Sequence, residues 1–149
     1  MASLSITTVI AIAAFLYLLF GMALAVGTQG SFSQLAKQCR WLLLVALWSQ
    51  VLLLPQMLDM TPHGWQWMPV LGIFAVAVCG GASLFNKEDN LTHMIAAAVA
   101  FVCLVGWVML INQRCLMPLI VCAVAGRENP IWRIETGMVA SVYTVMIGI

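Results

Sequence analysis

Charge is what this sequence has least of: of its 149 residues, six are Lys or Arg and five are Asp or Glu, 7% of the chain, with a formal net charge of +1. Soluble domains carry roughly 25% charged residues, and a soluble fold of this size needs a polar skin that so few charges do not supply. The near-neutral balance also excludes a polybasic nucleic-acid surface and a strong anionic-lipid patch. Cysteine pairs at metal spacing are missing too. Cys39, Cys79, Cys103, Cys115 and Cys122 include no C-x-x-C, and the two histidines, His63 and His93, fall on segments expected at opposite membrane faces, so no metal or other cofactor is expected. A phosphate cradle is absent as well: Cys79-Gly80-Gly81-Ala82 is a glycine pair at a helix end, not a G-x-x-x-x-G-K-[ST] loop.

What the sequence has instead is hydrocarbon, 64% of its residues. Six spans of about 20 residues each would use about 120 and leave about 29 for loops and ends. The expectation is therefore one integral membrane domain over residues 1–149, with no soluble domain, folded as an all-α polytopic transmembrane helix bundle. Ser5 to Val26 has no charge and is long enough to cross. Ala23-Leu24-Ala25 looks like a signal-cleavage site, but no Lys or Arg precedes the apolar run, which is also longer than a signal h-region, so a span is expected. Further spans are expected at Trp41 to Leu58, Trp67 to Phe85 and Leu91 to Ile111. Leu116 to Gly126 offers only 11 apolar residues before Arg127-Glu128-Asn129-Pro130, and is either a short fifth span or a re-entrant hairpin. Ile131 to Ile149 can cross if Arg133 and Glu135 sit in its first turns, and Pro130 suits that helix start because its missing amide hydrogen costs nothing there.

Loop charges separate the two topologies. With six crossings, Lys37, Arg40, Lys87, Arg127 and Arg133 share one side against Arg114 alone; with five, Arg114, Arg127 and Arg133 oppose Lys37, Arg40 and Lys87. The positive-inside rule favours the lopsided arrangement, hence six spans in a bacterial inner membrane with both termini outside the cytoplasm. Tryptophan gathers at bilayer interfaces, and this topology puts Trp65, Trp67 and Trp107 at the outer surface, Trp41 and Trp132 at the inner one, and only Trp48 deep.

Helices in lipid associate through small residues that allow close approach. Gly72, Ala75, Cys79 and Ala82 form one such stripe, and Gly137, Ser141, Thr144 and Gly148 another; Ala96 with Ala100 and Gly21 with Ala25 extend the pattern. Pro55 and Pro118 each remove a backbone hydrogen bond within or near a span. Both stripes are expected to pack helices, and any small-residue surface left outside points to a homo-oligomer or a membrane partner in addition to the surrounding lipids.

An ionisable residue inside a span is costly and marks a functional position. His93 lies about one turn into the fourth span and Glu135 about one turn into the sixth, both entered from the cytoplasmic side, so the two share a depth and can meet. A His–Glu pair there has the makings of a proton or cation relay, since imidazole exchanges protons in the physiological range. The alternative has His93 donating to a neighbouring carbonyl and Glu135 pairing with Arg133 or Arg127. Ser49 and Gln50 fall near the middle of the second span, where side-chain hydrogen bonds hold helices together. Asp59 and His63 belong to the outer loop, where Asp59 can border a vestibule. Cys103 and Cys115 both reach the outer half of the bilayer, within range of a disulfide. Ser83, Asp89 and His93 lie close in sequence without the pattern of a hydrolase.

The stretch GGASLFNKEDNLTHMIAAAVAF, with Phe85, Lys87, Leu91 and His93, resembles a segment of uncharacterised short polytopic membrane proteins of bacteria and their phages. NPIWRIETGMV, with Glu135 after a tryptophan, is similar to the final helix of that group, so the resemblance covers about residues 80–149. It implies topology and directs attention to His93 and Glu135. A fainter similarity to alkaline-ceramidase-like hydrolases implies zinc held by three histidines, one more than this chain contains. Three functions follow: a proton, ion or small-solute conduit using His93, Glu135, Arg133, Gln50 and Asp59; a non-catalytic membrane assembly or interaction protein; and, behind both, a lipid-directed hydrolase.

Overall fold

The structure, a computed structural model, describes residues 5–26, 41, 43–85, 91–124 and 130–148. The described residues are helical apart from short turns, with no strand among them. The helices are α1 (Ile6–Val26), α2 (Leu43–Met60), α3 (Trp67–Phe85), α4 (Leu91–Ile111), α5 (Gln113–Val124) and α6 (Pro130–Ile147). Of these, α2 and α4 are long and apolar enough to cross a membrane; Ile6–Tyr17, Trp67–Ala82 and Gln113–Val124 are shorter apolar stretches. At 1.5 Å rise per residue α4 is about 31 Å long, while α5 reaches only about 18 Å.

Local chemistry sets the helix ends. Pro55 has no amide hydrogen and its ring crowds the carbonyl four residues back, so α2 tightens to a 3₁₀ turn over Gln50–Leu53, and the Val51 carbonyl accepts the Leu54 N–H instead. After Met60, a turn closed by Trp65 N–H to the Pro62 carbonyl (3.1 Å) reverses the chain; Gly64 at its third position has φ +91°, a conformation that excludes a β-carbon without strain. Asn112 alone separates α4 from α5, its Oδ1 accepting the Arg114 N–H at 3.1 Å to start a 3₁₀ turn over Gln113–Leu116.

Successive helices run antiparallel, and hydrogen bonds show which ends meet. The Gln56 side chain, near the end of α2, accepts from Thr8 Oγ1 (2.7 Å) and the Ser5 amide (3.2 Å) at the start of α1 and donates to the Met146 carbonyl (3.3 Å) at the end of α6. Trp107, near the end of α4, donates its indole N–H to Thr61 Oγ1 at 2.7 Å. Ser5 and Met146 therefore lie at one end of the bundle, with the starts of α3 and α5. We call this the termini end; His93, Cys79 and Glu135 belong to the opposite end.

The most extensive helix pairs are α3 with α4 and α5 with α6. Gly72 lets α3 approach Leu104 and Cys103 of α4, and Gly137 brings α6 against the Leu119 backbone and Cys122 of α5. Ala75 and Cys79 are buried, Ala82 half-buried; Ser141 is buried and accepts the Leu119 N–H at 3.2 Å. Thr144 bonds back to the Ala140 carbonyl within its own helix. Gly148 departs from the packing stripe expected for it: with φ +77° and open space around it, it ends α6, its amide bonding to the Thr144 and Val145 carbonyls.

Trp107 lies at the termini end, as Trp65 and Trp67 do, but is fully buried there. Trp48 is 54% exposed on the bundle's flank and donates to the Ala77 carbonyl at 3.1 Å, which satisfies its N–H without water. Trp65 and Trp67 are both exposed and their rings lie 6.4 Å apart. The outward surface elsewhere is hydrocarbon, with Tyr17, Phe74 and Val102 among its most exposed side chains. Lys37, Arg40, Lys87, Arg127 and Cys39, and the side chains of Gly21, Ala25, Ser83, Asp89 and Trp132, lie outside the described residues. Cys79, Cys103, Cys115 and Cys122 are free thiols, so Cys103 and Cys115 form no disulfide.

Candidate functional site

A cavity of about 120 Å³ lies between α2, α3, α4 and α6, with Phe15 of α1 closing one side. Its walls are mostly hydrocarbon, from residues such as Leu43 and Leu47 of α2, Ile73 and Val76 of α3, and Met138 and Val139 of α6. Five polar or ionisable side chains interrupt them: Gln50, Cys79, His93, Glu135 and Tyr143. Water fills about 30 Å³ per molecule in the liquid, so the space corresponds to about four waters.

At one end His93, from the first turn of α4, meets Cys79 of α3 reciprocally. Its Nδ1 lies 3.4 Å from the Cys79 carbonyl, and the Cys79 thiol points to the His93 carbonyl at 3.7 Å. A carbonyl only accepts, so Nδ1 carries the hydrogen and, in the neutral ring, Nε2 is the acceptor. Glu135 of α6 lines the same cavity.

Towards the middle of the bundle, the Tyr143 hydroxyl donates to Gln50 Oε1 at 2.8 Å, joining α6 to α2. The Gln50 amide donates in turn to the Ala46 carbonyl (3.1 Å) and Ser49 Oγ (3.2 Å), while Ser49 Oγ donates to the Ala46 carbonyl (2.7 Å). Gln50 and Ser49 thus hold helices and backbone together. The Tyr143 ring meets Phe15 edge-on, with centroids 5.9 Å apart at 89°. One turn further along each helix, Met57, Trp107, Val108 and Met146 are at most 2% exposed, so the cavity is blind towards the termini end.

Tyr143→Phe is expected to lower stability by about 1 kcal/mol, within the range for hydrogen bonds between membrane helices. The measurement is the midpoint of SDS-induced unfolding; equal midpoints for the two proteins would mean that the bond to Gln50 contributes nothing.

Of the sequence candidates, His93, Glu135 and Gln50 come together in the cavity. Arg133 is half-buried and not among the cavity's lining residues. Asp59 is exposed in the last turn of α2, inside the helix and not beyond it, at the termini end. His63 is also exposed there, so the two histidines lie at opposite ends of the bundle and cannot share a metal ion. Sequence reasoning missed Tyr143 and Gln56, though both carried a signal: a tyrosine in mid-helix and a glutamine inside an apolar run each need an internal partner in lipid.

Comparison of the chain with protein-family models, with curated proteins and with solved structures finds no match.

Proposed function

We propose that the chain is a six-span integral membrane protein whose His93–Glu135 cavity admits protons or a small cationic solute from the cytoplasmic face, as the entry half of a conduit. The observation that carries this reading is the convergence of His93 and Glu135, from α4 and α6, in one cavity inside an otherwise apolar bundle. Ionisable side chains in such surroundings are expensive, and a protein of eleven charges, the six Lys or Arg and five Asp or Glu, that keeps one there points to use.

Support for six crossings comes from the hydrogen bonds of Gln56, which place the start of α1 and the end of α6 together, as an even number of crossings requires. The exposed hydrocarbon of α4, Val102 at 68% and Met94 at 65%, suits lipid. Positive loops then put the His93 end in the cytoplasm of a bacterial cell and both termini outside it. Completing a path requires the layer of Met57, Trp107, Val108 and Met146 to part. The alternative is a non-catalytic assembly component, to which Gly72 and Gly137 contribute no outer surface, because both are spent on contacts within the chain.

The test is flux into liposomes reconstituted with the full chain, read with a pH-sensitive dye under an imposed potential. Glu135→Gln and His93→Ala are each expected to cut the flux by about tenfold, the effect of removing a group that contributes about 1.4 kcal/mol to the barrier. Unchanged flux in both variants would sink the relay.

A further inference from the structure

We propose that the cavity is a binding site for a small organic ammonium ion, held with its cationic group beside Glu135 and its alkyl groups against the hydrocarbon wall. The inference deepens the proposed function by naming the substrate class, and rests on that reading of the His93–Glu135 cavity as the working site.

The wall chemistry argues against a bare metal cation. Hard cations need about six oxygen ligands to replace their water. The cavity offers a carboxylate at one end and, in the middle, a Gln50 oxygen that already accepts from Tyr143. Glu135 and Tyr143 are eight positions apart on α6, about 12 Å at 1.5 Å per residue, so no ring of oxygens forms. An alkylammonium ion brings its own apolar shell, is more weakly hydrated, and gains from burial at about 25 cal/mol per Å² of apolar surface. Phe15, Phe101 and Tyr143 line the cavity further towards the middle of the bundle and add apolar wall there.

Size agrees. An engineered apolar cavity of about 150 Å³ in another protein takes up benzene, so about 120 Å³ suits an ion such as tetramethylammonium. A carboxylate offers about four acceptor sites on its two oxygens, and Glu135 lines the cavity. A lipid headgroup bearing an ammonium and a free ammonium ion share this chemistry.

The experiment is saturation-transfer NMR on the full chain in phosphatidylglycerol nanodiscs, with tetramethylammonium chloride titrated at constant ionic strength. Saturable binding is expected, with tert-butanol, its neutral counterpart, at least about tenfold weaker and tetrabutylammonium excluded by size. Glu135→Gln is expected to erase the preference for the cation over tert-butanol. The size series on the unaltered protein keeps the proposal testable should that variant misfold. Adding phosphatidylethanolamine distinguishes the sources: a weaker apparent affinity identifies the headgroup as an occupant, and an unchanged one a free ion. Absence of saturable binding, or equal binding of tert-butanol, overturns the proposal. If Glu135-dependent proton flux survives that result, the cavity remains a proton site and only the ammonium assignment falls; if the flux is absent too, the conduit reading falls with it.

Discussion

Gly137→Ala is expected to destabilise the protein by about 1–3 kcal/mol, the usual cost of forcing extra atoms into a packed site. A β-carbon on Gly137 would stand 2.8 Å from Leu119 Cα, 2.9 Å from Cys122 Cβ and 3.2 Å from the Pro118 carbonyl oxygen. Two of the three are backbone atoms, so relief requires α5 to move as a body. That movement would also stretch the bond from the Leu119 amide to Ser141 Oγ. Gly72 provides the control. A β-carbon there meets Leu104 Cδ2 at 2.8 Å and Cγ at 2.9 Å, side-chain atoms that can rotate away, with Cys103 Cβ behind at 3.3 Å. Alanine also gains about 1 kcal/mol over glycine in helix propensity, so Gly72→Ala is expected to stay within about 1 kcal/mol of the parent. Thermal unfolding in mild detergent, monitored by circular dichroism, compares the two. Equal losses would mean that the α5–α6 contact yields as easily as the α3–α4 contact.

The same pair of glycines shows what the sequence could and could not reveal. Spacing by three and four marked both positions as helix contacts, because that periodicity puts residues on one face. It does not distinguish a side-chain neighbour from a backbone one, nor a contact from a cap, which is why Gly148 shares the spacing of a stripe it does not join. Helix limits were most legible where polar or turn-forming residues bracket a long apolar run. The start of α3 at Trp67 and the end of α4 at Ile111 coincide with limits expected from composition. At α2, the span expected to end at Leu58 continues as helix to Met60. The Thr61 hydroxyl bonds to the Met57 carbonyl and the Thr61 amide to Leu58, which secures the extra residues. In the cavity, equal depth for His93 and Glu135 followed from counting turns from the loops. That Tyr143 would supply the partner of Gln50 depended on which helix lies beside that face of α6, which the pattern of a single helix does not state.

Trp107→Ala is expected to cost about 2–3 kcal/mol, below the roughly 3–5 kcal/mol typical of aromatic truncations in soluble cores. The reduction follows from the solvent: helices in lipid gain little from hydrophobic transfer, so the loss is chiefly dispersion contacts and the void left behind. Trp107 is fully buried and its N–H bonds to Thr61 Oγ1, which is itself tied to the Met57 carbonyl. Truncation therefore hollows the layer that closes the cavity, beside Met57, Val108 and Met146. Trp107→Phe separates the contributions, since it keeps most of the ring but forfeits the hydrogen bond, and is expected to cost about 0.6–1.7 kcal/mol. Steric-trap or SDS unfolding reads the stability, and proton flux in liposomes reads the seal. In the conduit reading, Trp107→Ala raises basal flux while Trp107→Phe leaves it near the parent value, because the blocking volume matters there and the N–H does not. Greater leak from Trp107→Phe than from Trp107→Ala would show that the bond to Thr61, not the packed ring, closes the termini end.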